Sequence, residues 1–146
     1  MSSDKLIWYS IDELYGKSIE REFIITEELI DHFAHISGDF SSIHISNKAA
    51  KAKGFKGRVA HGILLTSFVS AIIGMDLPGE KSILQSIEMK YLYPCYHNDK
   101  ITIKLEITEI FKSVKTVIAK VNIFNQEGTK VSKAKIQIGL KEDYNG

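Results

Sequence analysis

The stretch Gly62-Ile63-Leu64-Leu65-Thr66-Ser67-Phe68-Val69-Ser70-Ala71-Ile72-Ile73-Gly74-Met75 decides the fold. Wound at about 3.6 residues per turn, it is apolar on nearly every face, and such a helix belongs inside a wrapping sheet. Its small residues, Gly62, Ser67, Ser70, Ala71 and Gly74, permit close approach of strands or of a ligand. Leu77-Pro78-Gly79 stops it. Counted from Ala60, the run is too short to span a bilayer comfortably, and His61, Thr66, Ser67 and Ser70 interrupt it. A buried core helix is therefore expected rather than a membrane span.

Downstream of Lys81 the period changes from helical to two. Ile101, Ile103, Leu105 and Ile107 alternate with Thr102, Lys104, Glu106 and Thr108, the clearest half-buried strand in the chain. Val117, Ala119, Val121 and Ile123 form a second such face, and Ala134, Ile136, Ile138 and Leu140 a third. Ser82 to Tyr93 reads as a less regular strand. The connections Tyr96-His97-Asn98-Asp99, Lys112-Ser113 and Asn125-Gln126-Glu127-Gly128 are short and polar, which favours antiparallel hairpins. Upstream, Ile19 to Ile25 reads as a strand. Thr26 then caps a helix whose first turn carries Glu27 and Glu28 and which Gly38 ends. Ser46-Asn47 caps a short helix through Ala52, and Gly54 and Gly57 mark a loop. The expected architecture is α+β, an antiparallel sheet curled around one very apolar helix.

With 146 residues the chain fits a single domain, 1–146, with room for a sizeable core. The formal net charge of +1 gives no electrostatic reason to expect nucleic acid or an acidic membrane as partner. The single cysteine, Cys95, excludes an intrachain disulfide framework and fits a reducing cytoplasm. Met1-Ser2-Ser3-Asp4-Lys5 shows no secretory pattern, so a cytoplasmic location is expected.

The chemistry points to the segment before the apolar helix. Asp39 and His44 sit five residues apart in Gly38-Asp39-Phe40-Ser41-Ser42-Ile43-His44. On a helix that spacing leaves them roughly 140° apart, and on a strand it puts them on opposite faces. They converge only if the backbone turns between them, for which Phe40-Ser41-Ser42 is suited. A converged carboxylate and imidazole can share one water and move its proton. Gly62, in the first turn of the apolar helix, has an N–H without an intrahelical partner and can polarise a carbonyl oxygen. The plainer reading is a local Asp cap and a solvated loop histidine, and spacing alone does not separate the two.

Other candidates are weaker. His32 and His35 have helical spacing, but nothing completes a metal site around them. Ser67 and Ser70 lack the nucleophile elbow of a hydrolase triad, and Ser70 is better placed as a polar group lining a site. Cys95 has no basic activator and reads as a packing residue. Tyr91, Tyr93 and Tyr96 suit either an interface or strand packing, and no phosphate-binding glycine motif is present.

These residues carry a family resemblance. Asp39-Phe40-Ser41-Ser42-Ile43-His44 resembles the Asp-x-Asn-Pro-x-His hallmark of MaoC-like dehydratases, and Arg58-Val59-Ala60-His61-Gly62-Ile63-Leu64 resembles the Ala/Val-His-Gly segment that opens their central helix. The likeness runs on through Leu77-Pro78-Gly79 and Tyr93-Pro94 to Asp99-Lys100-Ile101, and it is closest to the (R)-specific enoyl-CoA hydratases. It implies a hotdog fold and a homodimer with the active site near the subunit interface. It also implies an acyl thioester substrate, on coenzyme A or acyl carrier protein, and a hydration that needs no metal or redox cofactor. By position, Asp39 and His44 match the catalytic pair, Gly62 the backbone donor to the thioester carbonyl, and Ser70 a helix serine that organises the site in some members. A hotdog thioesterase, a non-catalytic thioester-binding protein and a dehydratase for an unusual acyl or sugar substrate are the alternatives. The chain departs from the pattern at Ser41 and Ser42, where the family usually has Asn and Pro. Proline would fix φ there, and a serine replaces the asparagine amide only in part.

Overall fold

The computed structural model describes residues 9–141. The chain runs α1 (Ile11–Leu14), β1 (Ser18–Ile24), α2 (Glu27–Ser37), α3 (Ser42–Ile45), α4 (Asn47–Ala52), α5 (Gly62–Met75), β2 (Ser82–Tyr91), β3 (Lys100–Phe111), β4 (Thr116–Phe124) and β5 (Lys130–Leu140). The five strands form one antiparallel sheet in the order β1-β3-β4-β5-β2. Sequential β3, β4 and β5 pair as hairpins across short connections, and β1 and β2 take the edges. This is the expected α+β hotdog arrangement.

Alternation along the strands sorts the core. Ile101, Ile103, Leu105 and Ile107 of β3, Val117, Ala119, Val121 and Ile123 of β4, and Ala134, Ile136 and Ile138 of β5 are buried with Leu64, Leu65, Val69, Ile72 and Ile73 of α5 in one cluster. Each fully buried isoleucine there contributes about 1.5–3 kcal/mol by leaving water. Phe23 of β1 stacks on Phe68 of α5 with centroids 4.5 Å apart, and Arg21 donates to Asp76 at 2.8 Å, which ties the first edge strand to the far end of the helix.

Three features differ from expectation. The strand read as Ser82 to Tyr93 ends at Tyr91, with a register shift between Leu84 and Ser86. The Lys112-Ser113 connection is a 3₁₀ turn, Lys112–Val114, followed by Lys115 at φ 49°. Most informatively, α5 is not enclosed all round: Ile63, Ser67, Ser70, Ala71 and Met75 form an exposed stripe. One curled sheet covers one side of the helix and leaves the other side open.

The outer face of the sheet mixes opposite-charge pairs, such as Glu88 with Lys135 and Glu106 with Lys120, with two like-charge pairs. Lys90 lies opposite Lys133, and Lys120 opposite Lys135. Facing like charges oppose strand pairing. Lys133→Glu is therefore expected to raise stability by about 0.5 kcal/mol, an effect that salt should shrink. Urea unfolding at low and high ionic strength measures it, and a lower midpoint at low salt would refute the pairing argument.

Candidate active site

The turn between Asp39 and His44 is built from short side chains. Thr26 caps α2 by accepting from Leu29 N–H at 3.0 Å, and Gly38 ends it in the left-handed region (φ 77°) with its N–H on Ala34 O. Asp39 N–H then donates to Ser37 Oγ at 3.1 Å. Asp39 Oδ1 accepts from Ser41 N–H at 3.0 Å and from Ser41 Oγ–H at 2.5 Å. These bonds fold the segment into an Asx-type turn, a local structure that serine and aspartate favour. The chain then winds through α3, with His44 N–H on Ser41 O at 2.9 Å. That extra helical turn carries the imidazole back, and His44 Nε2 lies 3.7 Å from Asp39 Oδ2.

A second segment locks the histidine. Val59 N–H donates to Ile43 O, Ala60 N–H donates to Cys95 O, and Val59 pairs with Tyr96. This short extended stretch runs between α3 and the loop after β2. Val59 O lies 2.6 Å from His44 Nδ1, and a carbonyl only accepts, so Nδ1 carries a proton. In the neutral ring Nε2 then holds the lone pair, facing Asp39. Arg58, nearly fully buried, donates from Nε to His44 O at 2.7 Å, while its guanidinium pairs with Asp31 and lies 3.8 Å from Glu27. Sequence reading gave Arg58 no role. Glu27 and Asp31 at i, i+4 on α2 were the available signal for a buried cation partner.

The Ser41 hydroxyl, and after it the Ser41 backbone N–H, hold the Asp39 carboxyl below the ordinary carboxylate range, so it is ionised at neutral pH. The side chain is about half exposed, against 12% for His44. Ser41 thus supplies both donors to Asp39, and Ser42 opens the helical turn, without the usual Asn-Pro.

His61 joins the pair. Its Nε2–H donates to the backbone carbonyl of Asp39 at 2.9 Å, and its ring stacks on His44 with centroids 3.9 Å apart and planes 22° from parallel. Asp39, His44 and His61 bring candidate donor atoms within 4.8 Å of one another, a carboxylate and two imidazoles. The stack argues against a shared metal. Nearly parallel rings aim their lone pairs side by side rather than at one point, and His61 Nε2 already carries a proton.

A cavity of about 420 Å³ opens beside His44, lined among others by Gly62, Ile63, Tyr91, Tyr93, Cys95 and Ser132. Gly62 opens α5, and its N–H meets no acceptor among the described residues. A Cβ on Gly62 would lie 2.9 Å from the Tyr91 ring, whose hydroxyl is 2.7 Å from Thr66 Oγ1, so any side chain there displaces Tyr91. Burial, and next the charge of Asp99, push the Cys95 thiol up to about 12, which makes it a neutral wall residue. Ser132 Oγ is buried without a partner.

The structure brings His44 and Gly62 to one cavity and Asp39 beside His44, but it does not bring Ser70 there. Ser70 is exposed, about two turns along α5 on the uncovered stripe, because eight residues advance the helix by about 12 Å. Ser67 bonds its own helix at Leu64 O. His32 and His35 are exposed, one near Glu28 and one edge-on to Phe40. No described helix is long and apolar enough to cross a membrane.

Comparison with known proteins agrees with this geometry. Residues 12–129 match the family model described as a MaoC like domain. An (R)-specific enoyl-CoA hydratase of Rhodospirillum rubrum is 32% identical over 118 residues, 80% of this chain and 82% of that one. The unliganded R-hydratase from Pseudomonas aeruginosa superposes with a TM-score of 0.85 at 30% identity, covering 91% of this chain and 86% of the other. The (R)-hydratase from Aeromonas caviae superposes with a TM-score of 0.83 at 25% identity, over 86% and 96%. With a match across most of its length and the same fold, the chain belongs to the MaoC-like domain family.

Proposed function

We propose that this protein is a hydro-lyase that reversibly adds water to a trans-2-enoyl thioester of coenzyme A or of an acyl carrier protein, giving the (R)-3-hydroxyacyl thioester. The observation that carries this reading is the gap of 3.7 Å between an ionised Asp39 and the His44 Nε2 lone pair, beside the free N–H of Gly62. That gap is too long for a direct hydrogen bond and suits a shared water. In hydration, Asp39 and His44 orient the water and take its proton as its oxygen bonds the β-carbon. The electron pair of the double bond moves toward the thioester carbonyl, whose oxygen Gly62 N–H stabilises as an enolate. The α-carbon then takes a proton from the pair, which restores it. The thioester itself supports the enolate, so no cofactor enters the scheme. The (R) configuration follows the relatives named above.

The functional unit in this reading is a homodimer. Its support is the exposed edge of β2, with Ile83, Leu84 and Tyr91 beside the uncovered α5 stripe of Ile63 and Met75. A single domain spanning 1–146 is part of the proposal, supported by one contiguous core. So is a cytoplasmic location, which the unpaired, buried Cys95 suits.

Hydration of crotonyl-CoA and longer enoyl thioesters, on both carriers, tests the activity, with the reverse reaction on (R)-3-hydroxyacyl thioesters. Turnover is expected, and its absence across chain lengths and carriers would overturn the proposal; release of free thiol instead would indicate a thioesterase. Asp39→Asn and His44→Ala are each expected to lower kcat by about 10²–10⁴ with unchanged circular dichroism. Sedimentation should give twice the chain mass, and a monomer at micromolar concentration would refute the dimer. Cys95 should resist thiol reagents at pH 8 in the native protein and react on unfolding; prompt native labelling would contradict its buried, neutral state.

A further inference from the structure

We propose that His61 is a positioning residue for this reaction, a side chain that fixes the Asp39 backbone and the His44 ring relative to each other. The inference rests on the hydratase reading and assigns a role to a residue which that reading leaves idle. His61 is 3% exposed and precedes α5 as its N-cap, yet its ring caps no helix N–H. It reaches across to the other segment instead. Nε2–H holds the carbonyl of Asp39, one face lies on His44, and Phe33 of α2 packs at 4.9 Å with its plane tilted by 59°.

A core spacer does not explain this. His61 Nδ1 is buried without a hydrogen-bond partner, a desolvation cost that phenylalanine or leucine would not incur. What histidine adds over either is a donor and a ring face on one rigid body. The donor sets where Asp39 leaves the turn, and the face sets the plane in which His44 Nε2 points. Asp39 and His44 come from opposite ends of a turn held by serines, so an outside brace on both matters more here than it would with a proline in the turn.

The same contact bears on charge. Since Asp39 O can only accept, His61 carries its proton on Nε2. A second proton on Nδ1 would be a buried N–H without an acceptor among the described residues. The stacked ring face of His61 against His44 favours the imidazolium that forms when His44 takes a proton. The ionisable groups around the two rings, among the described residues, include Asp39, then Tyr91, Tyr93 and Cys95 across the cavity, and Arg58 with its partners Asp31 and Glu27 behind the His44 backbone.

Two substitutions separate the components. His61→Gln keeps a side-chain N–H for Asp39 O and loses the ring face, while His61→Phe keeps the face and loses the donor. Each is expected to lower kcat for crotonyl-CoA hydration about tenfold or more with KM changed by less than about threefold. Loss of the face removes a stabiliser of the protonated pair, so the acid limb of the pH–rate profile should move to lower pH in His61→Gln and stay in place in His61→Phe. A purely structural role would lower thermal stability and leave the limb where it is. Both variants within about threefold of wild-type kcat, or an unmoved limb in His61→Gln, would overturn the proposal. Nitrogen NMR of histidine-labelled wild-type protein gives a test independent of variant folding and of turnover. His61 should be protonated on Nε2 and neutral His44 on Nδ1, and a proton on His61 Nδ1 would refute the assignment. A wild-type protein that hydrates nothing would sink the hydratase reading, while the tautomer measurement would still decide the brace.

Discussion

The burial of α5 is the constraint on which the rest depends. A helix with Leu64, Leu65, Val69, Ile72 and Ile73 in the core has to be wrapped, and the inward alternation of β3, β4 and β5 supplies the wrapping. The enclosure leaves two openings. At its N-terminus the helix leaves Gly62 N–H unpaired beside a cavity. Along its open side it leaves a stripe with small residues next to the β2 edge. Stability therefore positions both the proposed oxyanion donor and the proposed subunit contact, since both are parts of one helix that a single sheet cannot cover.

Backbone carbonyls do much of the chemical preparation. Val59 O sets the proton on His44 Nδ1 and frees Nε2, and Asp39 O does the reverse for His61. A peptide carbonyl only accepts, so each fixes which nitrogen of its histidine carries a proton. Asp39 is prepared differently, by two donors from Ser41 that favour its charged form. The same two bonds shape the turn, so ionisation and geometry of the carboxylate come from one residue, and a change at Ser41 would disturb both.

Two unpaired buried groups lie near the site, Ser132 in the cavity wall and His61 against the His44 ring. His61 Nδ1 and Ser132 Oγ lie without partners within a few residues of otherwise well-bonded chain. Such groups are costly, and they cluster where function sets the residue type ahead of stability. At Gly62 the Tyr91 ring comes within 2.9 Å of where a Cβ would be, so the backbone there is approached closely only because a side chain is lacking.

Much of this was legible in the sequence. Two-residue alternation in β3, β4 and β5 and the unbroken apolar run of α5 are local patterns with one good solution each, and Thr26, Gly38 and Ser46 punctuate the helices through bonds to near neighbours. Asp39, His44 and Gly62 stood out because their spacing matched a known pattern. Their convergence was not legible, because it depends on α3, a helical turn too short to leave a periodic trace, and on Val59, which acts through its carbonyl rather than its side chain. The brace from His61, the buried Arg58 with Asp31, and Tyr91 over Gly62 were equally hidden, since each joins residues far apart in the chain. Ser70, judged by position to join the site, lies on the uncovered stripe because helical rise carries it away from the cavity. The sequence by itself determined which segments are helix or strand and which faces are apolar, because those follow from local periodicity. Only the tertiary structure decided the direction of each proton and ring, because a hydrogen bond to a distant carbonyl leaves no mark in composition or spacing.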